Sequence, residues 1–132
     1  METVAFTYGP KTLHLYMSGD AMFRIQALNT DENQPDIMDR ILQNSVDGTV
    51  TLCQVAAILG EAGELCRRYL GYAKERIPTA DELQQLLSPV QILGLRTAAV
   101  QAISKGYEGI KDDSESGDID LGLLELEKKT RL

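Results

Sequence analysis

Tryptophan is absent from this 132-residue chain, phenylalanine occurs twice and histidine once. The apolar residues are mostly Leu, Ile, Val and Ala, a mixture that favours helices. With His14 the only histidine, two-histidine metal sites are excluded and little is left for an acid–base pair. Cysteine is also scarce. Cys53 and Cys66 would stand about 20 Å apart along one straight helix at about 1.5 Å per residue, so they cannot bridge within it. Two small core-type thiols in a reducing compartment are expected.

No apolar run approaches the roughly 18 to 20 residues of a membrane span, and the start METVAFTYGPK lacks the basic and apolar stretches of a signal peptide. No membrane partner is expected, and the chain is expected to stay where it is made. Basic residues are outnumbered, 13 against 20 acidic, for a net charge of -7. Residues 1–50 and 112–132 each carry -4 and residues 51–111 carry +1. Binding driven by phosphate neutralisation needs a basic face, so no nucleic-acid partner is expected.

Catalytic patterns are equally thin. Gly60 and Gly63 fall inside a helical pattern with no preceding strand and no P-loop lysine, so neither a phosphate cradle nor a dinucleotide fingerprint is present. Asp112, Asp113, Glu115, Asp118 and Asp120 lack the spacing and closing glutamate of a calcium loop. His14 falls on the strand face opposite Leu13 and Leu15, and both cysteines lie within a helix, which argues against a Cys–His nucleophile. No catalytic residue, cofactor or metal is expected.

What is there reads as one α+β domain, mainly α: an N-terminal β-hairpin packed on a small helical bundle with two long helices. Val4, Phe6 and Tyr8, then Leu13, Leu15 and Met17, alternate with other residues around Gly9-Pro10-Lys11 and predict a hairpin over 3–17. Ser18 caps a helix from Asp20 to Leu28. Pro35 suits the first position of another, running to about Gln43, with Asp47-Gly48 as a closing turn.

Leu52, Val55, Leu59, Ala62, Cys66, Tyr69 and Ala73 recur at spacings of three and four, predicting one continuous helix. Gly60, Gly63 and Gly71 weaken it by about 1 kcal/mol each relative to Ala, so close approach of a neighbouring backbone is expected there. Thr79 and Glu82 form a capping box for a short helix, and Ser88-Pro89 open a longer one whose inner face is predicted as Val90, Leu93, Thr97, Val100, Ile103 and Tyr107. Gly106 and Gly109 predict fraying. Residues 1–111 thus form the body, and 112–132 an acidic linker leading to Ile119, Leu121, Leu123, Leu124 and Leu126.

Two stretches stand out for partner binding. One is this aliphatic cluster. The other is the basic group Arg67, Arg68, Lys74 and Arg76, read either as complementing a helix dipole or as a docking patch for an acidic segment. Residues 79–107 have the layout of a helix-turn-helix, but the second helix offers a single Arg96 in its first half, too little to hold phosphates.

The order of parts is similar to that of the tail assembly chaperones of long-tailed, siphovirus-type bacteriophages and prophages. The likeness lies in the hairpin around Tyr8-Gly9-Pro10-Lys11, then Ala21-Met22-Phe23, an acidic helical body, and Asp118-Ile119-Asp120-Leu121 leading into Leu126-Glu127-Lys128-Lys129. It covers nearly the whole chain in layout. The resemblance implies a non-enzymatic, self-associating protein of the host bacterial cytoplasm that coats the long helical tape measure protein and helps bring in tail tube protein. It also implies a longer form made by ribosomal slippage, for which Lys128-Lys129 is the candidate position. The alternatives are a head–tail completion or adaptor protein, which would remain in mature particles, and a helix-turn-helix regulator.

Overall fold

The computed structural model describes residues 2–116, with side chains through 108. Two strands, β1 (Val4–Tyr8) and β2 (Lys11–Leu15), precede five helices: α1 (Gly19–Gln26), α2 (Ile37–Ile41), α3 (Val46–Tyr69), α4 (Ala80–Leu86) and α5 (Pro89–Ser116). The chain is mainly helical with one antiparallel hairpin, the α+β arrangement that the sequence pattern predicts.

The strands pair with Val4 opposite Leu15 and Phe6 opposite Leu13, so all four core-forming side chains leave one face. Gly9 turns the chain at a φ of +60°, a conformation that costs a residue without a Cβ nothing. The inner face lies across both long helices, β1 against α5 and β2 against α3. A lone hairpin is marginal in water, and this packing is what holds it.

Ser18 caps α1 by accepting from the Ala21 amide at 3.0 Å. The second helix departs from expectation: Asp36 is its cap and Pro35 precedes it, because the Asp36 side chain satisfies the Met38 amide, which a proline ring cannot do. Asp47-Gly48 is no closing turn. It lies in the first turn of α3, capped by Ser45, whose hydroxyl accepts from the Gly48 amide at 3.0 Å. Gly48 belongs there because the end of α2 presses on it: a Cβ would lie 2.2 Å from the Gln43 carbonyl oxygen and 2.9 Å from that of Arg40.

Helix α3 ends at Tyr69, a turn short of Ala73, and Gly71 follows at a φ of +100°. Gly71 therefore serves chain reversal, with open space around it. Gly63 serves close approach of a backbone, as expected, whereas Gly60 makes room for side chains. A Cβ on Gly60 would meet Leu13 Cδ1 at 2.8 Å, and one on Gly63 would meet the His14 carbonyl oxygen at 1.9 Å. The crossing of β2 over α3 is sealed by the Tyr16 amide, which donates to the Leu59 carbonyl at 3.0 Å.

Both downstream caps form as the sequence predicts. Thr79 and Glu82 exchange hydrogen bonds at 2.9 and 3.1 Å, and Ser88 and Gln91 at 2.9 and 3.2 Å. The inner face of α5 is the larger correction. Ile92, Leu95, Ala98, Ala99 and Ala102 are buried, and of the predicted face Ile103 is buried and Val100 half-buried, whereas Val90, Leu93, Thr97 and Tyr107 are exposed. Two three–four patterns interleave along this helix. The one rich in alanine wins because small side chains let α5 settle onto the hairpin and α3. Gly106 extends that face: a Cβ there would lie 2.6 Å from Met17 Cβ, and the helix passes through Gly106 and Gly109 without fraying, on through 112–116. The leucine-rich cluster Ile119, Leu121, Leu123, Leu124 and Leu126 and the pair Lys128-Lys129 lie outside the described residues.

One charged residue is buried at a junction. The Arg40 guanidinium donates to Asn29 Oδ1, to Thr51 Oγ1 at 3.0 Å and to Asp47 Oδ1 at 3.4 Å, tying α2 to the loop after α1 and to the start of α3. By length and composition alone α3 could span a membrane, with a mean hydropathy of 1.2 over 18 residues, against the expectation that no stretch qualifies. In this fold 61% of that stretch is buried, so much of its apolar surface already has partners.

Candidate functional site

The C-terminal half of α3 runs on beyond the point where β2 crosses it, and there the apolar side of the helix loses its cover. Ala62 and Cys66 form the floor of a groove of about 470 Å³, and Tyr16, Ser18, Leu65 and Tyr69 form its walls. Leu65 is 60% and Tyr69 78% exposed. Ala62, Leu65, Cys66 and Tyr69 stand at three- and four-residue spacing over two turns, about 10 Å of helix. Such a surface can take two anchor side chains, one turn apart, from another helix. No carboxylate, lysine or arginine lines it. Burial pushes the Cys66 thiol up from its ordinary value, keeping it protonated at neutral pH and poorly suited to nucleophilic work.

The basic group is differently placed from what its sequence position suggests. Arg67 and Arg68 lie in the last turn of α3, but Lys74 and Arg76 follow the helix, in the connector to α4. Helix-dipole complementarity therefore accounts for the first two only. Arg68 pairs with buried Glu64 at 2.8 Å, Arg67 stacks over the Tyr72 ring at 4.1 Å, and Arg76 pairs with Glu82. The pairing with Arg76 holds Glu82 below the usual carboxylate range, after the larger effect of the Thr79 amide. These contacts reduce what a docking patch could use.

Between the hairpin and this connector lies a polar cleft of about 600 Å³, lined by Tyr8, Lys11, His14, Arg67, Glu75 and Arg76 among others. His14 is half-buried there, and desolvation followed by the nearby Arg67 holds its pKa below the ordinary value. The histidine is thus neutral at physiological pH. Among the described residues no group of three or more His, Cys, Asp or Glu side chains converges to hold a metal.

Arg96, the one cation in the first half of α5, is engaged. Its Nε donates to the Ile41 carbonyl at 2.7 Å and its Nη2 to that of Gln43 at 3.4 Å, so it caps α2 and is turned away from any phosphate. The groove itself was only half legible in the sequence. Ala62, Cys66 and Tyr69 belong to the predicted inner stripe of α3, and Leu65 does not. The available signal was Leu65, an apolar residue four before Tyr69 and outside the predicted stripe.

Cys53, on the buried side of α3, gives a direct check of this packing. Burial pushes its thiol from 9.0 up to about 11. Native protein should leave it unmodified by iodoacetamide at neutral pH, and unfolded protein should not. The folded state keeps the proton that the unfolded state loses above pH 9, so stability is full below that value and falls as pH rises to about 11. The loss reaches about 2.7 kcal/mol at 1.36 kcal/mol per pKa unit. A melting series over that window should fall less steeply for Cys53→Ala, and equal slopes would contradict the assignment.

No family model, curated protein or solved structure matches this chain.

Proposed function

We propose that this protein is a non-enzymatic tail assembly chaperone that holds amphipathic segments of a tape measure protein in the α3 groove and assists addition of tail tube protein. The observation that carries the reading is the groove itself: Leu65 and Tyr69 stand exposed over an apolar floor of Ala62 and Cys66. Exposed apolar side chains in a contiguous groove are costly for a monomer in water and mark a surface that meets a partner. A long helical client offers leucines at the same three–four spacing. The net charge of -7 keeps a chain with such a surface soluble. Many copies along one client would replace single-site affinity by avidity. The layout from the hairpin to the acidic C-terminal region supports the same reading. The helix-turn-helix alternative is weakened by the engagement of Arg96 with α2.

Co-expression with the tape measure protein encoded alongside it tests the proposal. The wild-type chain should bring most of the client into the soluble fraction, and Leu65→Glu should lower that yield at least several-fold while keeping its own solubility and helical circular dichroism. A client that is equally insoluble with and without this chain would overturn the reading. A full rescue by Leu65→Glu would move the docking surface elsewhere.

A further inference from the structure

Helix α5 passes behind the α3 groove. Met17 stands between Tyr16 and Ser18, which wall the groove on the hairpin side, and a Cβ on Gly106 would lie 2.6 Å from Met17 Cβ, so α5 packs against the back of that wall. The helix then continues from Gly106 to Ser116, about 15 Å at 1.5 Å per residue. With one helix-packing distance of about 10 Å added across the wall, Ser116 stands within about 25 Å of the groove. The residues that follow lie outside the described part of the chain, and from 117 to 127 they read Gly-Asp-Ile-Asp-Leu-Gly-Leu-Leu-Glu-Leu-Glu. Leu123 and Leu126 are seven and ten residues past Ser116. Extended chain of that length spans about 24 to 35 Å, so both leucines can reach the groove.

We propose that residues 119–126 of the same chain occupy the α3 groove until a client displaces them. The groove presents apolar walls with no carboxylate, lysine or arginine, and this segment supplies five aliphatic side chains within eight residues. Leu123 and Leu126 stand three residues apart, the spacing of the two anchors that the groove can take. The acids beside them also find a partner. Arg67, in the last turn of α3 two residues before Tyr69, stacks on Tyr72 and meets no carboxylate among the described residues, whereas the segment brings Glu125 and Glu127. Tethering decides between this occupant and others. A short link gives the segment an effective concentration on the order of millimolar at the groove. The same segment of a second copy must instead overcome repulsion between two chains of net charge -7. Displacement by a client rests on the chaperone reading, and occupancy of the groove does not.

Nile red, an uncharged dye that brightens on apolar surface, tests this on the full chain with no client present. The wild type should bind it weakly. The double variant Leu123→Glu/Leu126→Glu should bind it with several-fold brighter fluorescence, because carboxylates withdraw the segment from an apolar site. Adding Leu65→Glu to the double variant should return the signal to the wild-type level, since a carboxylate then stands in the groove itself. Leu65 is exposed, so the helical circular dichroism should be unchanged throughout. Equal fluorescence from the wild type and the double variant would overturn the proposal, and so would a rise that Leu65→Glu leaves intact. A wild-type signal per chain that falls as protein concentration rises would assign the groove to a second copy's segment and overturn it as well. The co-expression experiment fails independently: a groove closed by this segment together with a client that stays insoluble would reject the chaperone reading alone.

Discussion

Gly63→Ala should cost about 3 kcal/mol of stability, a figure at the upper end of overpacking effects. The new methyl would stand 1.9 Å from the carbonyl oxygen of His14 and 2.6 Å from its carbonyl carbon. Both are backbone atoms, so no side-chain rotation relieves the contact. The relief available is to lift β2 away from α3, which stretches the hydrogen bond from Tyr16 to Leu59 and uncovers Leu13 and Leu15, both fully buried. Alanine regains about 1 kcal/mol of helix propensity over glycine, which offsets part of the loss. At a few degrees per kcal/mol for a chain of this size, the melting midpoint should fall by about 10 °C. Gly19→Ala is the matched control, in the first turn of α1 with nothing within 4 Å of the added methyl, and it should stay within about 0.5 kcal/mol of wild type. A Gly63→Ala protein that melts with the wild type would mean that β2 does not cross α3 at this point.

Arg40→Ala should cost about 2 to 4 kcal/mol, because it strands groups that the guanidinium satisfies. Thr51 is buried and accepts from Arg40 at 3.0 Å while donating to the Asp47 carbonyl at 2.8 Å. Asn29 loses its donor in the loop after α1. The ion pair with Asp47 counts for less, since at 3.4 Å it is long and the Asp47 side chain is 64% exposed. Hydrogen bonding and volume should therefore dominate. Arg40→Met, which keeps most of the volume, should lose clearly less than Arg40→Ala, and Asp47→Ala less than about 1 kcal/mol. Chemical unfolding curves of the three variants test that order. Equal losses in Arg40→Ala and Asp47→Ala would show the ion pair to be the main interaction.

These two residues mark the border between what can and cannot be read along the chain. Local grammar is short-range, and it shows in the sequence. The alternation from Val4 to Leu15 puts four apolar side chains on one face, Ser18, Thr79 and Ser88 each satisfy an amide within three residues, and the three–four recurrence of Leu52, Val55 and Leu59 makes a helix whatever surrounds it. Even the demand for close approach at Gly63 follows from the cost of glycine inside a helix.

Which face a helix buries, and where that burial stops, is a matter of neighbours. On α5 the sequence offers two stripes of comparable apolar content, and the one buried against the hairpin and α3 sets alanines at 98, 99 and 102 among Ile92, Leu95 and Ile103, so that the helix can lie close to them. On α3 the apolar stripe outlasts its cover, since β2 ends at Leu15, and the surplus becomes a groove. Residue order likewise places Asp47-Gly48 where a turn would serve. The carbonyls of Arg40 and Gln43, pressed against Gly48, make the site the tight start of a helix instead. A pattern along the chain fixes the period of a helix, whereas its exposed and covered sides depend on contacts between residues distant in sequence, and only packing in three dimensions decides those.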